Sequence, residues 1–136
     1  MSTSKVIYKG DLRTESYHIE SNSTIVTDAP KDNHGKGEAF SPTDMVANSL
    51  ATCMLTIMGI KANGMNLGIE ESTAEVTKIM KGEPRMIDEI IVKLVMRGVA
   101  ADDTKTKLVL ERAAMTCPVF LSLHPDIKKS IAFTWI

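Results

Sequence analysis

The stretch SPTDMVANSLATCMLTIMGI, from Ser41 to Ile60, decides how the rest of the chain is read. Ser41 is a natural N-cap. Pro42 suits the first helical position, where its missing N–H costs nothing, and Asp44 stands where a capping box needs its acid. Apolar side chains then recur at Val46, Leu50, Cys53, Ile57 and Ile60, in steps of four and three. That stripe predicts a helix packed against a second helix. Ala47, Ala51 and Met54 widen the apolar face, and Asn63-Gly64 supplies the stop. The uncharged run from Met45 to Ile60 is 16 residues and carries Asn48, Ser49, Thr52 and Thr56. A bilayer span needs about 20 mostly apolar residues. The expectation is a buried helix in a soluble, cytoplasmic protein that uses no membrane, with Cys53 at the helix centre.

Before this helix, SKVIYKG (4–10), TESYHIE (14–20) and STIVTD (23–28) are short runs punctuated by Gly10-Asp11 and Ser21-Asn22. They predict an opening antiparallel meander. The polar, Gly-bearing APKDNHGKGEAF (29–40) reads as a loop, without the glycine spacing of a phosphate cradle. After the helix, NLGIEESTAEVTKIM (66–80) and RMIDEIIVKLVMRGV (85–99) flank Gly82-Glu83-Pro84 as a hairpin. Ile90, Val92, Leu94 and Met96 alternate along its second arm, so one face is buried. Asp102 or Asp103 caps a second helix running to about Thr116, with Leu110, Ala114 and Cys117 on one stripe. Pro118 ends or kinks it. A short helical turn and a closing strand, KKSIAFTWI, complete the order strands, helix, strands, helix, strand, which is α+β.

Length and charge exclude several classes. The 136 residues suit one domain, spanning 1–136, that buries a core without staples. Net charge is -1, with no basic block, so nucleic acid is not an expected partner. The N-terminus, MSTSKVIYKGD, lacks an apolar secretory region. His18, His34 and His124 are scattered and the cysteines form no CxxC pair, so no metal site is expected.

Two cysteines remain, 64 residues apart. Cys53, mid-helix, gains little from its own helix dipole. It is either a small buried hydrophobe or a thiol activated by a cation from elsewhere. Cys117 directly precedes Pro118. Either its sulfur meets the amides opening the next helix, which favour thiolate, or the proline has simply displaced a helix-end residue.

SPTDMVANSLATCMLTIMG and TCPVFLSLHPDI together resemble the two cysteine motifs of the osmotically inducible protein C and organic hydroperoxide resistance (OsmC/Ohr) family: a proline-led helix with a cysteine at its centre, then a Cys-Pro step. YKGDLRTE resembles the family's opening strands, so the likeness covers nearly the whole chain. The resemblance implies an α+β OsmC-like fold of antiparallel sheets with two central helices. It also implies an intertwined homodimer whose sheets are completed by both chains. The implied activity is thiol-dependent reduction of organic hydroperoxides in oxidative-stress defence. Cys53 would attack, Cys117 would resolve, and Arg13 would activate Cys53. A lipoyl-type dithiol would restore the thiols, and no cofactor is implied.

The family's glutamate that holds the arginine has no direct counterpart. Ten residues before Cys53 stands Thr43, and the acid, Asp44, is nine before. Nine steps of about 100° put Asp44 about half a turn from Cys53, so Asp44 is better placed as the helix cap. Glu38, in the preceding loop, could instead hold Arg13. The alternative to a peroxidase is a non-catalytic OsmC-like dimer that binds a small apolar ligand or senses redox state through its thiols.

Overall fold

The structure, a computed structural model, describes all 136 residues. They form two compact units, Met1–Val46 and Ala47–Ile136.

The first unit holds β1 (Ser4–Gly10), β2 (Arg13–His18) and β3 (Thr24–Asp28) in a three-stranded antiparallel sheet of that order, as the meander predicts. Asp11 and Leu12 take positive φ at the first turn. The loop 29–40 contains only a short 3-10 turn, Lys31–Asn33. The buried residues of this unit are all polar: Thr27, Asp28 and Ser41. Val6, Ile7, Tyr8, Ile25 and Val26 are exposed. A small sheet with no buried apolar side chain cannot stabilise itself in water.

The helix α1 runs from Pro42 to Gly64. Its start is a reciprocal capping box: the Asp44 N–H donates to Ser41 Oγ at 3.0 Å, and the Ser41 N–H donates to Asp44 Oδ2 at 3.0 Å. Past its end, Asn66 rather than Gly64 takes the left-handed conformation, at φ 57°.

In the second unit, β4 (Thr73–Lys81) and β5 (Met86–Met96) pair antiparallel, and β6 (Lys128–Trp135) lies beside β5. The β5–β6 pair is parallel, so this sheet is mixed rather than wholly antiparallel. The reason is the connection. The helices α2 (Thr104–Ala114) and α3 (Pro118–Ser122) form a crossover long enough to bring the chain back in the same direction. The register slips by one residue at Asp88, so Ile87 joins the buried face of Ile90, Val92, Leu94 and Met96. Asp103, not Asp102, caps α2, accepting from the Thr106 N–H at 3.0 Å and its hydroxyl at 2.7 Å. Gly98 has φ 94°, and a Cβ there would stand 1.9 Å from the Gly68 carbonyl oxygen, so only glycine fits.

The core of this unit packs α1 with β5, α2 and the start of α3, and it corrects the expected stripe. The buried α1 residues are Ala47, Leu50, Ala51, Met54, Met58 and Ala62. Of the expected stripe, Leu50 is fully buried and Cys53 and Ile57 are half-buried against the core, while Val46 is 38% and Ile60 63% exposed. A helix apolar nearly all round offers two usable faces, and its periodicity cannot rank them. Burying Leu50, Met54 and Met58 contributes about 1.5–3 kcal/mol each. By length and composition alone α1 could cross a bilayer, but its inner face is the centre of this core.

Candidate active site

The chemistry-bearing side chains fall into two groups, one in each unit.

In the second unit, α1 and α3 bring the two cysteines together. Cys53 lies midway along α1 and is half-buried. Cys117 is the N-cap of α3 with an extended backbone (φ -64°, ψ 142°), the conformation a following proline favours. Its sulfur accepts from the Phe120 N–H at 3.3 Å, and its side chain is fully buried. Both thiols are free, and Cys53 is near enough to Cys117 to act on its titration. Burial pushes the Cys117 thiol up from its ordinary value, and the contact with Cys53 pushes the same way. The amides of Phe120 and Val119 oppose this and do not outweigh it. Cys117 is therefore a protonated thiol at neutral pH, while Cys53 is the one that solvent can reach.

An open groove of about 450 Å³ lies in the same unit. Ile57, Ile60, Val109 and Ala113 line it, with Lys61 and Arg112. Ile57 is one helical turn beyond Cys53.

In the first unit, Arg13 opens β2 and stands directly across the ladder from Asp28, the last residue of β3. Its guanidinium grips that carboxylate with two bonds, Nε to Oδ1 at 2.7 Å and a terminal nitrogen to Oδ2 at 2.8 Å. Glu38 approaches the same terminal nitrogen at 3.6 Å from an exposed position. The Asp28 carboxyl is held below the ordinary carboxylate range, first by its bond from Arg13, and Arg13 is raised in turn. Asp28 is the residue that sequence reasoning missed. Its signal was available only as register: Arg13 and Asp28 face one another only once the β2–β3 pairing is known. Of the acids considered from sequence, Glu38 makes a long contact with Arg13, and Asp44 caps α1. No three His, Cys, Asp or Glu side chains cluster as a metal ion would need.

A family profile described as OsmC-like protein matches residues 35–131, well over half of the chain. The chain belongs to the OsmC family. The match includes Glu38, Asp44, Cys53 and Cys117 and leaves out Arg13 and Asp28. Among solved structures, this OsmC-family chain is similar to a Psychrobacter arcticus 273-4 protein named for a proposed part in osmotic stress and detoxification response. They share 52% identity over 98% of this chain and 96% of that one, with a TM-score of 0.92. An OsmC-like protein from Mycoplasma pneumoniae shares the fold at 18% identity and TM-score 0.79, covering 98% and 95% of the two chains. So does an organic hydroperoxide resistance protein OsmC from Legionella pneumophila, at 14% identity and TM-score 0.71, covering 98% of each. No curated protein matches the chain.

Proposed function

We propose that this protein reduces organic hydroperoxides, with Cys53 as the attacking thiolate and Cys117 as the resolving thiol. The observation that carries the reading is the meeting of two free thiols, one half-exposed and one buried, from positions 64 residues apart. The name of the Legionella pneumophila neighbour supports it.

The steps follow from thiol chemistry. The Cys53 thiolate attacks the outer peroxide oxygen, the O–O bond breaks, and the departing alkoxide takes a proton to leave as an alcohol. Cys53 is then a sulfenic acid. The Cys117 sulfur attacks it, an S–S bond forms, and the Cys117 proton leaves with the hydroxide as water. An external dithiol of lipoyl type then reduces the disulfide by two exchange steps. Cys53 is the attacker because a thiol that is fully buried and pushed up supplies little thiolate. Ile57, one helical turn beyond Cys53, and the apolar groove that it lines favour an organic over an inorganic peroxide.

Arg13 supplies the cation in this proposal. Arg13→Met should slow the oxidation of Cys53 at neutral pH about tenfold or more. The working assembly is a homodimer, in which the sheet of residues 4–28 and the outer row of α1 are covered by a second copy. Turnover of cumene hydroperoxide with dihydrolipoamide tests the whole reading. Steady consumption of many equivalents supports it, whereas a single stoichiometric oxidation would make the protein a redox sensor. The apolar groove lined by Ile57, Ile60, Val109 and Ala113 favours a second reading, a binder of small apolar ligands. That reading requires ligand-linked stabilisation without turnover.

A further inference from the structure

Of the three acids within reach of this question, only one holds Arg13 firmly. Asp44 gives an oxygen to the Ser41 N–H at the start of α1. Glu38 is 64% exposed and touches one guanidinium nitrogen at 3.6 Å. Asp28 is 1% exposed and receives two short bonds from Arg13. It also accepts from the Glu38 N–H at 3.1 Å, and its own N–H donates to the Phe40 carbonyl at 3.2 Å. It is thus tied on one side to the arginine and on the other to both ends of the segment 38–40, and its carboxylate has no freedom to turn.

We propose that Asp28 is the positioning residue for Arg13, fixing the guanidinium in the one orientation in which it serves the thiol chemistry. This rests on the reading that Arg13 acts on Cys53. A guanidinium has five N–H donors in a rigid fork. Asp28 takes Nε–H and one terminal N–H along one edge, and the far terminal nitrogen keeps both of its N–H groups for a thiolate and a peroxide oxygen. Holding the group still removes the rotamer entropy that a free arginine would lose at each encounter. The pairing also has an electrostatic consequence. With Asp28 alongside, the pair carries almost no net charge, so Arg13 acts through directed hydrogen bonds at contact range and not as a distant point charge. Lysine at position 13 would therefore fail as a substitute.

The test is a double-mutant cycle on the full chain with Arg13→Met, Asp28→Asn and both together, following Cys53 oxidation by cumene hydroperoxide across pH. Asparagine keeps the size and shape of the buried side chain. Asp28→Asn should slow oxidation about tenfold and move the pH profile the same way as Arg13→Met, and the double variant should be no slower than Arg13→Met alone. If Arg13→Met is slow while Asp28→Asn matches the parent, Asp28 does not position the arginine, and this proposal fails while the role of Arg13 stands. Effects that multiply would also overturn it, since Asp28 would then act by a separate route. If Arg13→Met matches the parent, both ideas fall. A second measurement needs no variant: in the parent protein the Arg13 Nε–H should give a nitrogen–proton NMR signal protected from exchange at neutral pH. Its absence would overturn the proposal even if the Asp28→Asn chain did not fold.

Discussion

The free thiols of Cys53 and Cys117, 64 residues apart in the chain, act on each other from unequal surroundings. Cys53 is half-buried on α1, and Cys117 is fully buried at the start of α3. Their roles should separate on that difference. Limited alkylation with iodoacetamide at neutral pH should label Cys53 well before Cys117. Equal labelling, read by peptide mass, would remove the basis for assigning attack to Cys53.

One equivalent of organic hydroperoxide should convert both thiols into an intrachain Cys53–Cys117 disulfide. Peptide mapping without reductant should recover the linked fragment. Two intact thiols, or a sulfenic acid on Cys53 that persists while Cys117 stays free, would count against a resolving role for Cys117.

The chain should be a dimer in solution. Val6, Ile7, Tyr8, Ile25, Val26, Val46 and Ile60 are all more than a third exposed in the single chain, and a second copy would take apolar side chains of this kind out of water. Light scattering should give about twice the 14.9 kDa chain mass. A monomer persisting at micromolar concentration would contradict the expectation.

Asp44 should behave as a helix cap. Removing one half of its reciprocal pair with Ser41 by Asp44→Ala should cost about 0.5–2 kcal/mol in urea unfolding. The rate of Cys53 alkylation should stay at the parent value. A large rate loss in a fully folded variant would instead tie Asp44 to the reaction.

Acid stability should report the Arg13–Asp28 pair. The Asp28 carboxyl is depressed in the folded protein, chiefly by its bond from Arg13. The unfolded state then binds the proton more readily, so this contribution is fully present above the ordinary carboxylate pKa, about 3.9. It is lost as pH falls through the folded value. Asp103, depressed by its bonds from Thr106, acts with the same sign. Urea midpoints measured from pH 6 to pH 2 should therefore fall less steeply for Asp28→Asn than for the parent. Parallel curves would show that the carboxylate is not depressed.

What the sequence determined by itself was local or periodic. Ser41, Pro42 and Asp44 place the start of α1 because a cap is made by residues three positions apart. Ile90 to Met96 name the buried face of β5 because strand side chains alternate whatever lies opposite. Cys117 before Pro118 marks the start of α3 for the same local reason. The paired motifs around Cys53 and Cys117 were enough to indicate the family. The tertiary structure decided the rest. It chose which face of an almost wholly apolar α1 enters the core, a choice made by the shape of β5 and α2 and not by the helix. It laid β6 parallel to β5, and it set Asp28 against Arg13 through the register of β2 on β3. Each of these depends on contacts between distant residues, which spacing along the chain does not specify.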